Sequence, residues 1–179
     1  MRKSGHILVA GLWVLSIVFL PLTLLADEGV APARSVEKIL TCGNAQLGAR
    51  TEYVVLSEAN MVVWTLQTIT LKNSIHPNPI PLLLESKSLH IADYPHGAVL
   101  DSVILGWKCL KTAHGKHYIF LAYTCSSYSG STRSASDESC NWDQILNTSG
   151  ERIDDRQRVR LGINRAIGNQ LQLQNTTED

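Results

Sequence analysis

The sequence has no excess of charge of either sign: 16 Lys and Arg stand against 16 Asp and Glu. Counterion release on nucleic acid or on an anionic bilayer needs clustered cations, so the composition argues against both as partners. The one run of arginines, Arg152, Arg156, Arg158, Arg160 and Arg165, is interleaved with Glu151, Asp154 and Asp155 and reads as a solvated helix face. Proline and glycine are not in excess, at 6 and 12, and the composition is globular. No glycine loop of the phosphate-binding kind is present. Tyr128-Ser129-Gly130 lacks the strand-to-helix context of a nucleophile elbow. No two cysteines have C-x-x-C spacing and none lies near a histidine pair, which argues against zinc. His114 and His117 flank a turn with no carboxylate close in sequence. Asp137, Glu138 and Asp143 lack the alternation of a calcium loop. These absences lead us to expect no cofactor, no metal and no enzymatic activity. A hydrolase site assembled from scattered residues is the remaining catalytic reading, and its sign would be a pocket with converging titratable groups.

What is there begins at the N-terminus. Met1-Arg2-Lys3 is a basic start, His6 to Ala26 is almost wholly apolar, and Asp27-Glu28 ends the run. This is the layout of a signal peptide over residues 1–26, with Ala26 the last residue before cleavage. The run is longer than the usual apolar region of about 7–15 residues, and Leu24 is not the small residue preferred three positions before the cut. An uncleaved anchor is therefore the alternative, since about 20 apolar residues span a bilayer; only then would a membrane be a partner. Either way the remainder lies outside the cytoplasm, periplasmic or secreted. Without Arg2 and Lys3 its net charge is about −2.

Cys42, Cys109, Cys125 and Cys140 all follow the leader, and an even count in an exported chain predicts disulfides. Four cysteines permit three pairings. The expected one joins Cys125 to Cys140 across a loop rich in serine and glycine, and Cys42 to Cys109.

The periodicities are mostly those of strands. Residues 27–35 read as a linker. Leu47 to Ser57 and Met61 to Lys72 are strands about a turn at Glu58-Ala59-Asn60, with Val63, Thr65, Gln67, Ile69 and Leu71 on one face. Pro77, Pro79 and Pro81 mark a loop or sheet edge. Leu82 to Ile91 resumes an apolar run, and Asp93 to Gly97 turns the chain. Val99 to Lys111 and His117 to Thr124 form a hairpin about Gly115. Tyr118, Phe120 and Ala122 face one side of the second strand, with Ile119, Leu121 and Tyr123 on the other, as in a central strand covered on both faces. Ser126 to Ser139 is expected to be exposed and mobile, Cys140 to Leu146 to be a short strand, and Asn147 to Gly150 a turn. Val159, Ile163, Ala166, Ile167 and Gln170 fall at helical spacing, capped by Asp154 or Asp155. Trp64 and Trp107 are expected in the core.

The expected fold is mainly β (α+β): an antiparallel sheet or small sandwich-like meander of five to seven strands with one C-terminal helix. Residues 36–172 form one disulfide-containing domain and residues 173–179 a disordered tail. The expected function is an exported, non-enzymatic binding protein, protein-binding, of the inhibitor or immunity type. Its candidate contact residues are Tyr128, Arg133, Asp137, Glu138 and Trp142, around the serine loop. The alternative is an envelope-associated structural module held by an uncleaved anchor.

Overall fold

The computed structural model describes residues 32–56, 61–90, 97–126, 140–170 and 172–177. The leader at 1–26, the linker as far as residue 31 and the serine loop from 127 to 139 lie outside the described residues. So do the turns at 57–60 and 91–96.

The fold is mainly β, with antiparallel sheets. The first sheet holds β1 (Arg34–Cys42), β2 (Ala45–Leu56), β3 (Met61–Lys72) and the short β4 (Ile80–Pro81), in that order. A two-stranded pair follows, β5 (Ser88–His90) with β6 (Ala98–Leu100). The second sheet is built from β7 (Ser102–Lys111), β8 (His117–Cys125), β9 (Asn141–Asn147) and β10 (Gln174–Asn175), in the order β10-β7-β8-β9. Between β9 and β10 the chain forms α1 (Asp155–Arg160) and α2 (Ile163–Gln170).

Alternation along β2 and β3 puts Leu47, Ala49, Ile69 and Leu71 on one buried face, packed with Ile104, Trp107, Ile119, Leu121 and Tyr123 of the second sheet. The opposite face of the second sheet carries Leu110, Tyr118, Phe120 and Ile145, covered by Ile163 and Ala166 of α2. The result is three layers: sheet, sheet, helix. β8 lies inside its sheet with apolar side chains on both faces, as expected of a strand apolar on alternate and intervening positions. Pro81 sits in the edge strand β4, where no ladder donor is required. Gly115 turns the β7–β8 hairpin with φ +76°.

Cys42–Cys109 joins β1 to β7, and Cys125–Cys140 joins the end of β8 to the start of β9. Both pairings are those expected from the sequence. Two disulfides fit an oxidising, extracytoplasmic environment. No helix among the described residues is long and apolar enough to cross a membrane.

Five features depart from the sequence reading. β1 begins at Arg34, inside the stretch taken for linker; its inward row Val36, Leu40 and Cys42 is interrupted by Lys38, which weakens the alternation. The helical region comes as two short helices, because Gly162 takes φ +69° between them. Asp154 caps α1 with a full capping box through Gln157, but Val159 is 70% exposed instead of lying in the buried stripe. Trp107 is fully buried, whereas Trp64 is only half-buried, on the outer face of the first sheet opposite Tyr53. Finally, residues 172–177 do not fray. β10 pairs with Trp107 and Gly106, Thr176 donates its N–H to the Leu105 carbonyl at 3.0 Å, and Thr176 and Thr177 are buried.

Candidate functional site

Of the expected contact residues, Tyr128, Arg133, Asp137 and Glu138 lie outside the described residues. Trp142 is described, and its surroundings define the candidate site. It is the second residue of β9, half-buried, and faces Tyr123 of β8 across the ladder. The two rings stack with centroids 5.1 Å apart and planes 8° from parallel. Ladder neighbours on one face stand close enough for such a pair, and stacking adds about 0.5–1.5 kcal/mol beyond area burial.

The polar end of each ring has a partner. Trp142 Nε1 donates to Glu85 Oε2 at 2.8 Å, and the other oxygen of Glu85 accepts from Arg152 Nη1. The Tyr123 hydroxyl donates to Gln144 Oε1 at 3.1 Å. Burial pushes that hydroxyl up to about 12, so Tyr123 stays neutral at physiological pH and works as a donor.

Glu85 belongs to the segment that crosses from β4 to β5, and this segment is pinned along its length. Leu82 N–H donates to the Ile69 carbonyl at 2.8 Å. Leu82 and Leu84 pack against the main core. Lys87 N–H donates to Asp101 Oδ1 at 2.8 Å, and Asp101 N–H returns a bond to the Lys87 carbonyl at 2.9 Å. Leu83, between the two inward leucines, is 95% exposed. In an extended chain successive side chains point to opposite sides, so burying Leu82 and Leu84 drives Leu83 outward. In sequence Leu83 is legible only as part of the apolar run from Leu82 to Ile91, and the packing alone separates it from its two neighbours.

Next to this cluster, Arg158 of α1 lies against Asp143 of β9 at 2.7 Å and Asp155 at 3.6 Å. Its contact with Asp143 is an ion pair without hydrogen-bond alignment, since Arg158 Nε and Asp143 Oδ2 make no hydrogen bond. In the described part of this region the charges of Arg152, Arg158, Glu85 and Asp143 are thus matched. What the site offers is a rigid, amphipathic surface: an outward leucine, the edge of a stacked tryptophan and a neutralised carboxylate.

No protein-family model, curated protein or solved structure matches the chain.

Proposed function

We propose that the protein is exported through a cleaved signal peptide and acts, in the periplasm or outside the cell, as a non-enzymatic binding protein of the inhibitor or immunity type. The observation that carries this reading is Leu83. A leucine 95% exposed on a segment held at Leu82, Glu85 and Lys87 is an apolar group presented at a fixed place, beside the edge of Trp142, where a partner would bury it. Interface anchors of this kind lose little conformational freedom on docking when their segment is already fixed. The Cys125–Cys140 bridge brings both ends of the serine loop to the strand that carries Trp142. Tyr128, Arg133, Asp137 and Glu138 would therefore extend the contact from that loop, because loops on rigid scaffolds carry recognition.

The test is affinity capture with the oxidised protein against envelope and secreted proteins of its own organism, run in parallel with Leu83→Glu. One stoichiometric partner, lost with Leu83→Glu while the melting temperature is unchanged, supports the proposal. Capture that is indifferent to Leu83→Glu, or that yields only diffuse envelope material, rejects it. N-terminal sequencing of the exported protein reads the leader separately, with Asp27 expected as the first residue.

A further inference from the structure

The five arginines that look evenly neutralised in the sequence are not so in the fold. Arg152 is matched by Glu85, and Arg158 by Asp143 and Asp155. Arg160 and Arg165 point elsewhere, into a cleft of about 590 Å³ between the β7–β8 turn and the junction of the two helices. That cleft is also lined by Lys111 and His114, and among the described residues no carboxylate lines it. A second cleft of about 500 Å³ adjoins it, sharing Leu161, and adds Lys116 and His117, again with no carboxylate among the described residues of its lining. One end of a chain with no net charge therefore holds a cluster of basic side chains, while Asp143, Asp154 and Asp155 line a separate pocket with Arg152 and Arg158.

The cleft is not merely a charged rim. Ala113, Val159, Leu161 and Ala166 line it with apolar surface, and Val159 is 70% exposed. Asn164 and Asn169 add side-chain amides. Its volume falls in the range of about 300–1,000 Å³ usual for sites that enclose a ligand. The geometry is set locally: Gly162 with φ +69° ends α1 and redirects the chain into α2, which separates Val159 from the core stripe and leaves it facing the cleft.

We propose that this cleft binds an acidic, aliphatic segment of a partner protein, with Arg160 and Arg165 taking carboxylates and Val159 and Leu161 taking an apolar side chain between them. Arginine forks match carboxylates in geometry as well as charge. The apolar lining favours such a segment over a nucleic acid or lipid headgroup, whose recognition depends on a denser array of cations. This surface is separate from the one around Leu83 and Trp142, so it can fail while that one stands.

The experiment uses the oxidised protein and a short labelled peptide of Glu and Leu, beside the same peptide with Gln for Glu, inorganic polyphosphate and vesicles of an anionic phospholipid. The expected result is binding of the Glu peptide that weakens as salt is raised. Arg160→Glu with Arg165→Glu lowers that affinity by about tenfold or more, whereas Arg156→Glu, outside the cleft, leaves it unchanged. Amide resonances of Ala113, Leu161 and Asn164 in the unaltered protein shift on titration, which keeps the test valid if the double variant folds poorly. Equal binding of the Gln peptide, no binding up to about 1 mM, preference for polyphosphate or vesicles, or shifts located away from the cleft each overturn the proposal.

Discussion

Gln67 of β3 and Ile104 of β7 bond to one another as ladder neighbours do, although they belong to different sheets. Gln67 Nε2 donates to the Ile104 carbonyl at 2.9 Å, and Ile104 N–H donates to Gln67 Oε1 at 2.7 Å. The site is the register shift of β7 between Ile104 and Gly106, where a bulge leaves main-chain groups without a strand partner. A side-chain amide has the donor and acceptor of a peptide group, and here it substitutes for one. Gln67 also donates to Thr51 Oγ1 at 3.0 Å, and Thr51 donates to the Thr176 carbonyl at 3.1 Å. Gln67, Thr51, Ile104 and Thr176 are all buried.

Gln67→Leu is therefore expected to be far worse than its surface area implies. It strands the Ile104 N–H in a dry core, where an unsatisfied donor costs about 1–3 kcal/mol, and it removes the donor to Thr51. A total loss of about 2–4 kcal/mol in urea unfolding is expected, against less than about 1 kcal/mol for Thr68→Val on the exposed side of the same strand.

The same network fixes the C-terminal residues. Thr176 Oγ1 donates to the Ile104 carbonyl, which also accepts from Gln67. Thr176→Val, similar in shape but without a donor, should cost about 1 kcal/mol and speed hydrogen exchange at the Thr176 amide. A Thr176→Val protein with unaltered exchange would show that β10 pairing alone holds the segment.

That tail shows where sequence legibility ended. A polar run of Gln, Asn and Thr reads as solvated, because nothing local says that a bulge in a distant strand has groups to satisfy. The strands β2, β3, β7, β8 and β9 were legible for the opposite reason: their period-2 patterns and turn residues are local. Gln67 was correctly placed on the face with Val63, Ile69 and Leu71, but its purpose depends on Ile104. At the candidate site, Trp142 was legible as an aromatic beside a cysteine. Leu83 was not, since its exposure follows from the packing of Leu82 and Leu84.

The two disulfides should differ in effect. Cys42–Cys109 spans 67 residues and Cys125–Cys140 spans 15, and loop-closure entropy grows with the logarithm of the loop. Replacing Cys42 and Cys109 by Ser should cost about 4 kcal/mol, and replacing Cys125 and Cys140 about 3 kcal/mol. Denaturant midpoints of the two double variants give the order directly.

Alkaline stability should depend on Tyr123. Its hydroxyl titrates at about 12 in the fold, against 10.0 in a free chain. Below about pH 10 the group is neutral in both states and adds no pH dependence. Between the two values the unfolded chain ionises and the fold does not, so stability falls as pH rises, by about 2–3 kcal/mol across the window at roughly 1.4 kcal/mol per unit. Tyr123→Phe should lose this part of the slope when urea midpoints are compared from pH 9 to 12.

Trp142 decides how the candidate site is built. If it were a free anchor, Trp142→Ala would abolish partner binding and leave the melting temperature unchanged. Its stack on buried Tyr123 and its bond to Glu85 argue that it also fixes the segment presenting Leu83. Trp142→Ala should then cost about 2–4 kcal/mol and weaken binding indirectly. Trp142→Phe keeps a ring on Tyr123 but releases Glu85, so it should restore most of the stability and little of the binding. Leu83→Ala, at a side chain 95% exposed, should leave unfolding untouched while reducing affinity. If Trp142→Phe binds as well as the unaltered protein, Glu85 has no part in holding Leu83, and the anchor works from the packing of Leu82 and Leu84 alone.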